Sequence, residues 1–169
     1  LHACIVMEEL SYAYESGFAI ALHSDIVVPY LHEFGNDAQK DKWLPGCVSG
    51  EVVTAIAMTE PGAGSDAASL RTIAMREGDS YRLNGSKVFI SGAGDTDVLV
   101  VMARTGDSGA RGITAFLVPA DLEGISYGKK ESKMGWNAQP TRQISFDDVR
   151  VPAANRLGEE GQGFSIAME

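Results

Sequence analysis

From Glu51 onward the chain is written in short segments: EVVTAIAM, SLRTIAM, SYRL, KVFIS, DVLVVMAR, GITAFLVP, GISYG and TRQISFDDV. Each is rich in β-branched and apolar residues and is bounded by glycine, asparagine or aspartate. Nothing else in the sequence limits the fold so tightly. This texture of short strands alternating with turns predicts an antiparallel β-domain. The turns EGDS and LNGS predict three strands running up, down and up, with Asn84 and Gly85 supplying the positive φ values of a tight hairpin.

Residues 1–50 read differently. IVMEELSYAYE carries apolar residues at helical spacing, and residues 17–34 form a largely apolar helical run that ends at Gly35. Asn36 or Asp37 then caps a short helix, NDAQKDKWL, predicted to stop near Pro45. After VRVPAANRLGEEGQGF, Phe164 opens a new helical pattern. The predicted fold is therefore α+β, with a helical part over residues 1–50 and an antiparallel, β-barrel-like middle domain over 51–157. Residues 158–169 are read as a linker and the start of a further helical domain. Leu1 in place of methionine and the uncapped end at FSIAME make the chain read as a piece of a longer protein.

Charge narrows the choice of partners. Fourteen basic against 23 acidic residues give a net charge of -9, which repels phosphate backbones, so no nucleic acid is expected. No apolar run reaches the roughly 18 residues of a spanning helix, so no membrane is expected either. Cys4 and Cys47 form no CxxC pair and read as buried free thiols in a reducing context. His2 and His32 have no companions at a metal-ligand spacing, and no metal site is expected.

The candidate chemistry begins at TEPGAGSD, residues 59–66. Gly62, Gly64 and Ala67 satisfy GxGxxA, the spacing of a dinucleotide-binding turn. That turn must open a helix leading to a parallel strand, whereas here SLRTIAM and a meander follow, so the dinucleotide fold is rejected. Two readings of the loop remain. Its glycines can bring backbone amides close to an anion, with the hydroxyls of Thr59 and Ser65 at either end, or it is a surface turn. KVFISGAG sets Phe89 beside Ser91 at a strand end, which suits stacking on a planar ring and hydrogen bonding to its edge; otherwise Phe89 is a core aromatic before a loop. His23, Ser24 and Asp25 point in different directions on a helix and make no triad. Asp147 and Asp148 read as part of a strand leaving the sheet, and Trp43 and Trp136 as packing.

Taken together, TEPGAGSD and LNGSKVFISGA resemble the acyl-CoA dehydrogenase family, whose middle β-domain carries a TEPxxGSD loop and a related strand. VMEELSYAYES, FGNDAQKDKWLPGCVSGE, KKESKMGW and FDDVRVPAANRLGEEGQGF extend the resemblance along the whole chain. It implies a flavoenzyme binding FAD through Ile56, Ala57, Met58, Thr59, Glu60, Pro61, Gly62, Ala63, Gly64 and Ser65 and through Phe89, Ile90 and Ser91. By the same resemblance Thr59 meets the flavin near N1 and O2, and Ser65 serves both the pyrophosphate and the CoA arm of the substrate. Phe89 stands where many relatives have tryptophan on the ring, and Ser91 where many have threonine near N5.

The implied activity is oxidation of the α,β bond of an acyl-CoA to the enoyl-CoA, with electrons passed to electron-transfer flavoprotein. NGSKVFISGAGDTDVLVVMARTG, GKKESKMGWNAQPTR and VPAANRLGEEGQGF point to a short branched substrate, isobutyryl-CoA. The resemblance further implies a homotetramer at full length, in the bacterial cytoplasm or the mitochondrial matrix. The family's catalytic glutamate lies in a C-terminal helical domain, so no catalytic residue is expected in this chain, which should be inactive alone. Two other readings share the motifs: a non-catalytic β-domain binding acyl-CoA or a partner, and an acyl-CoA oxidase-like flavoenzyme.

Overall fold

The computed structural model describes residues 2–14 and 20–169. Its helical part contains α1 (His2–Tyr12), a π-helical turn (Leu22–Val27) that runs into α2 (Val28–Phe34), and α3 (Asp37–Ser49). The predicted helical run over residues 17–34 begins outside the described residues.

Asn36 caps α3 in a reciprocal box. Its side-chain oxygen accepts from Gln39 N at 2.9 Å, and Gln39 Oε1 accepts from Asn36 N at 3.0 Å. The Gln39 amide also donates to Ala154 O and Arg156 O, both at 2.8 Å, tying the helix start to the far end of the β-domain. The predicted stop near Pro45 is wrong. The helix carries Pro45 inside it and ends at Gly50 in the left-handed conformation. Tertiary contacts hold the last turn in place: Cys47 is buried, its carbonyl accepts from His23, and Gly46 O accepts from Val52 N at 3.0 Å. The proline's missing donor is outweighed by that packing.

Eight strands follow: β1 (Thr54–Ala57), β2 (Ile73–Glu77), β3 (Ser80–Ser91), β4 (Val98–Arg104), β5 (Ile113–Pro119), β6 (Ile125–Tyr127), β7 (Thr141–Pro152) and β8 (Arg156–Leu157). A last helix, α4, spans Gly163–Met168. The sheet runs β6-β7-β3-β2-β4-β5-β8, with β1 beside β4, and it curls without closing. It is not antiparallel throughout: β1 pairs parallel with β4 over Val98 to Val101, and β2 meets β4 in parallel at Arg104. Since β5 takes the other edge of β4, β1 and β2 share one edge. Residues 58–72 must leave that edge and return to it.

The side-chain period of two divides β4 and β5 between two cores. Leu99, Val101, Phe116 and Val118 face the inside of the sheet with Tyr81, Leu83 and Val149. Val98, Val100, Met102, Ala115 and Leu117 face the helices, against Val27, Leu31 and Ile166. Burial on both faces explains why DVLVVMAR reads as an uninterrupted apolar run.

The EGDS hairpin forms, with Gly78 at φ +59 between β2 and β3. The LNGS hairpin does not, because Asn84 and Gly85 lie inside the continuous strand β3. Asn84 bridges sideways to a bulge in β7, donating to Asp148 Oδ1 and accepting from Asp148 N, both at 2.9 Å. Gly85 is set by close approach, since a Cβ there would stand 2.7 Å from Thr72 Cα. The reading of two buried thiols is corrected for Cys4, which is exposed on α1, while Cys47 is buried.

Candidate functional site

Where β1 ends, the chain turns along β3 and is held residue by residue. Lys87 Nζ donates to Met58 O at 3.0 Å, Val88 N donates to Thr59 O at 2.9 Å, and Lys87 Nζ donates to Glu60 Oε1 at 2.8 Å. Glu60 and Ala63 then exchange backbone hydrogen bonds of 3.0 and 3.1 Å around Pro61 and Gly62, which makes a tight turn. The Glu60 carboxylate also accepts from Arg71 N at 2.6 Å and Thr72 N at 2.9 Å, so one side chain gathers both ends of the loop. Lys87 is fully buried and Glu60 nearly so. Burial acts to raise the Glu60 carboxyl, but hydrogen bonds from Lys87 and Thr72 and the lysine's charge outweigh it and hold the carboxyl below its ordinary value. Burial, opposed by Glu60, lowers Lys87 to about 8.

Gly62 and Gly64 are the loop's unexplained residues. Neither has a positive φ, and a Cβ on either would meet nothing within 4 Å. The chain itself does not demand glycine there, whereas a group approaching the loop from outside would use the room. Thr59 is half-buried, and Ser65 is exposed beyond Gly64.

Phe89 sits on a bulge. Lys87 pairs with Ile144 and Ile90 with Arg142, so Val88 and Phe89 together oppose a single residue of β7. Phe89 takes φ +57, a conformation unfavourable for a bulky residue, and the residue is 67% exposed. It is no core aromatic. Ile90 is anchored in the inner core, and Ser91, half-buried, reaches a groove of about 820 Å³ walled by Met7, Leu10, Tyr14, Ile20, Leu22, Ile26 and Trp136.

Other expected site residues have side chains committed elsewhere. Ala57, Ala63 and Ile90 have buried side chains committed to packing, and the Glu60 carboxylate is turned inward. Ile56 and Met58 pack against the helix-side core.

Three residues were passed over in the sequence. Lys87 gave no signal except as one lysine in an apolar strand, and its burial becomes visible only when Glu60 is placed opposite it. Trp136, read as packing, is 61% exposed and lines the groove. Trp43 does pack, against the helix-side core. His23, rejected for a triad, joins three elements: Nδ1 lies 2.9 Å from Thr54 Oγ1 and accepts from Thr54 N at 3.2 Å, while Nε2 lies 3.1 Å from Cys47 O. Asp147 and Asp148 are both exposed. Among the described residues, no three His, Cys, Asp or Glu side chains gather as a metal site, and no helix is long and apolar enough to cross a membrane.

A curled sheet behind a helical layer, with a glycine loop clasped to a bulged strand, is an acyl-CoA dehydrogenase arrangement, and the chain belongs to the acyl-CoA dehydrogenase family. The family's middle domain matches residues 55–149 and its N-terminal domain residues 1–51. The chain is 50% identical over 169 residues to the mitochondrial isobutyryl-CoA dehydrogenase of Dictyostelium discoideum, covering 99% of this chain and 41% of that protein. It is 44% identical over 172 residues to the mitochondrial long-chain specific acyl-CoA dehydrogenase of Rattus norvegicus, covering 100% of this chain and 40% of that protein. The crystal structure of an acyl-CoA dehydrogenase from Geobacillus kaustophilus superposes with a TM-score of 0.88 at 48% identity, over 90% of this chain and 41% of that one. The chain thus spans about two fifths of the length of the curated relatives it matches.

Proposed function

We propose that this chain is the flavin-holding portion of an FAD-dependent acyl-CoA dehydrogenase that oxidises a short branched acyl-CoA, isobutyryl-CoA, to its enoyl-CoA. The observation that carries the reading is Phe89, an exposed ring on a left-handed bulge beside the clasped loop. A protein gains nothing for its own core from that arrangement, but a planar cofactor does.

On this reading Phe89 packs on the isoalloxazine, and Ser91 supplies a hydroxyl near N5. Thr59 meets the pyrimidine edge. The backbone from Ile56 to Ser65 follows the cofactor, with Gly62 and Gly64 leaving room for the pyrophosphate and Ser65 shared with the CoA arm. FAD, when bound, accepts a hydride from the substrate's β-carbon as the α-proton is removed. The groove between α1, the π-helical turn and Trp136 excludes water and takes the acyl chain.

Residues 1–50 act as the helical wall and 51–157 as the β-domain, with 158–169 leading into further helices. Electrons pass to electron-transfer flavoprotein, and the working protein is a homotetramer of the mitochondrial matrix or the bacterial cytoplasm. The isobutyryl-CoA dehydrogenase likeness at 50% identity favours a branched substrate over the long chain named for the relative at 44%.

The test is an assay of the full-length gene product with isobutyryl-, isovaleryl- and butyryl-CoA and an artificial electron acceptor, beside an FAD titration. Preference for isobutyryl-CoA with FAD bound is the expected result. Preference for the straight chain overturns the substrate, and absence of FAD binding overturns the class.

A further inference from the structure

The buried Lys87–Glu60 pair is used by nothing described so far, and its geometry is specific. The Lys87 ammonium straddles Thr59, donating to the carbonyl before it at 3.0 Å and to the carboxylate after it at 2.8 Å. Val88, the next residue of β3, holds the Thr59 carbonyl at 2.9 Å. Thr59 is therefore fixed on both flanks and at its own peptide group by the two residues that lead into the Phe89 bulge. At the other end of the loop, the same carboxylate holds Arg71 N and Thr72 N.

Stability alone does not account for such a pair. Two charges taken out of water recover little more than their desolvation cost, and an apolar pair of similar volume is commonly as stable. An apolar pair, however, has no donor for Met58 O and no acceptor for the two amides. What only the charged pair supplies is the register of Thr59 against Phe89 and the closure of the loop behind them.

We propose that Lys87 and Glu60 are positioning residues for the flavin, their inward-turned side chains setting the Thr59 and Phe89 faces relative to one another without themselves touching the cofactor. The inference rests on the flavin reading above. Its consequence is that the pair can be made apolar, keeping the fold and losing the fit.

The experiment compares the full-length gene product with its Glu60→Met, Lys87→Met and double variants. In flavin-free protein, hydrogen exchange at the Arg71 and Thr72 amides reads the clasp directly. In FAD titrations, affinity and the visible circular dichroism of the bound flavin read the positioning. The double variant is expected to stay folded with a lowered thermal midpoint, since two amides and one carbonyl lose their partner, to exchange both amides at least about tenfold faster, and to bind FAD about tenfold more weakly with an altered dichroic band. A double variant with wild-type affinity and wild-type dichroism overturns the proposal, whatever happens to its thermal midpoint. Wild-type protein that takes up no FAD overturns the flavin reading and this inference with it.

Discussion

Phe89 breaks two local rules at once: it holds φ +57 without being glycine, and it is a large aromatic residue left 67% exposed. Removing such a ring costs the fold little, because little is buried with it. Phe89→Ala is expected to change stability by no more than about 0.5 kcal/mol in urea titration while weakening FAD binding about tenfold or more. A large loss of stability with unchanged FAD affinity would return Phe89 to the core. Lys87 and Glu60 are the opposite case, silent on the surface and exposed to pH. The Glu60 carboxyl is held below its ordinary value, so its contribution is complete above about pH 4.3 and is lost as pH falls through the folded-state value. Lys87 is lowered to about 8, so the unfolded chain keeps that proton longer. Its part of the stability rises as pH climbs from about 8 to about 10.4, the ordinary lysine value. Urea midpoints measured across pH should show a shallower acid limb in Glu60→Gln and no alkaline rise in Lys87→Met.

Among the elements, β3 teaches most. Asn-Gly inside an alternating run is a strong hairpin signal, and here it failed because the bulge of β7 gives Asn84 both a donor and an acceptor across the ladder. Gly85 is required by Thr72, whose Oγ1 would stand 2.6 Å from an added Cβ. Gly85→Ala should therefore destabilise by about 1–3 kcal/mol, seen as a lower denaturant midpoint at unchanged m. A neutral result would mean that the loop carrying Thr72 yields. In α3 the local signal at Pro45 lost to burial of Cys47 and the bonds made by its last turn, whereas the Asn36 cap was legible because it involves residues only three apart. Local hydrogen bonding can be read along a sequence; contacts between strands and helices distant in the chain cannot.

At the scale of the molecule, His23 joins the π-helical turn to the start of β1 and the end of α3, and through them the helical wall to the sheet. His23→Ala leaves Cys47 O and Thr54 N without their side-chain partner and should cost about 1–3 kcal/mol in urea titration. Unchanged stability would show that the two layers are held by the apolar core alone. The sequence by itself determined the α+β order, most of the strand segments and the two motifs on which the flavin proposal rests, because period-two patterning, turn residues and short spacings act over a few residues. Only the tertiary structure decided which of those side chains are left open to solvent and which are buried. Thr59 is brought against Val88, the residue before Phe89, when residues 58–60 lie down on β3. Glu60 and Ile90, adjacent to them in sequence, and Ala63, further along the loop, turn inward, Ala63 and Ile90 into the apolar cores and Glu60 onto the Lys87 ammonium.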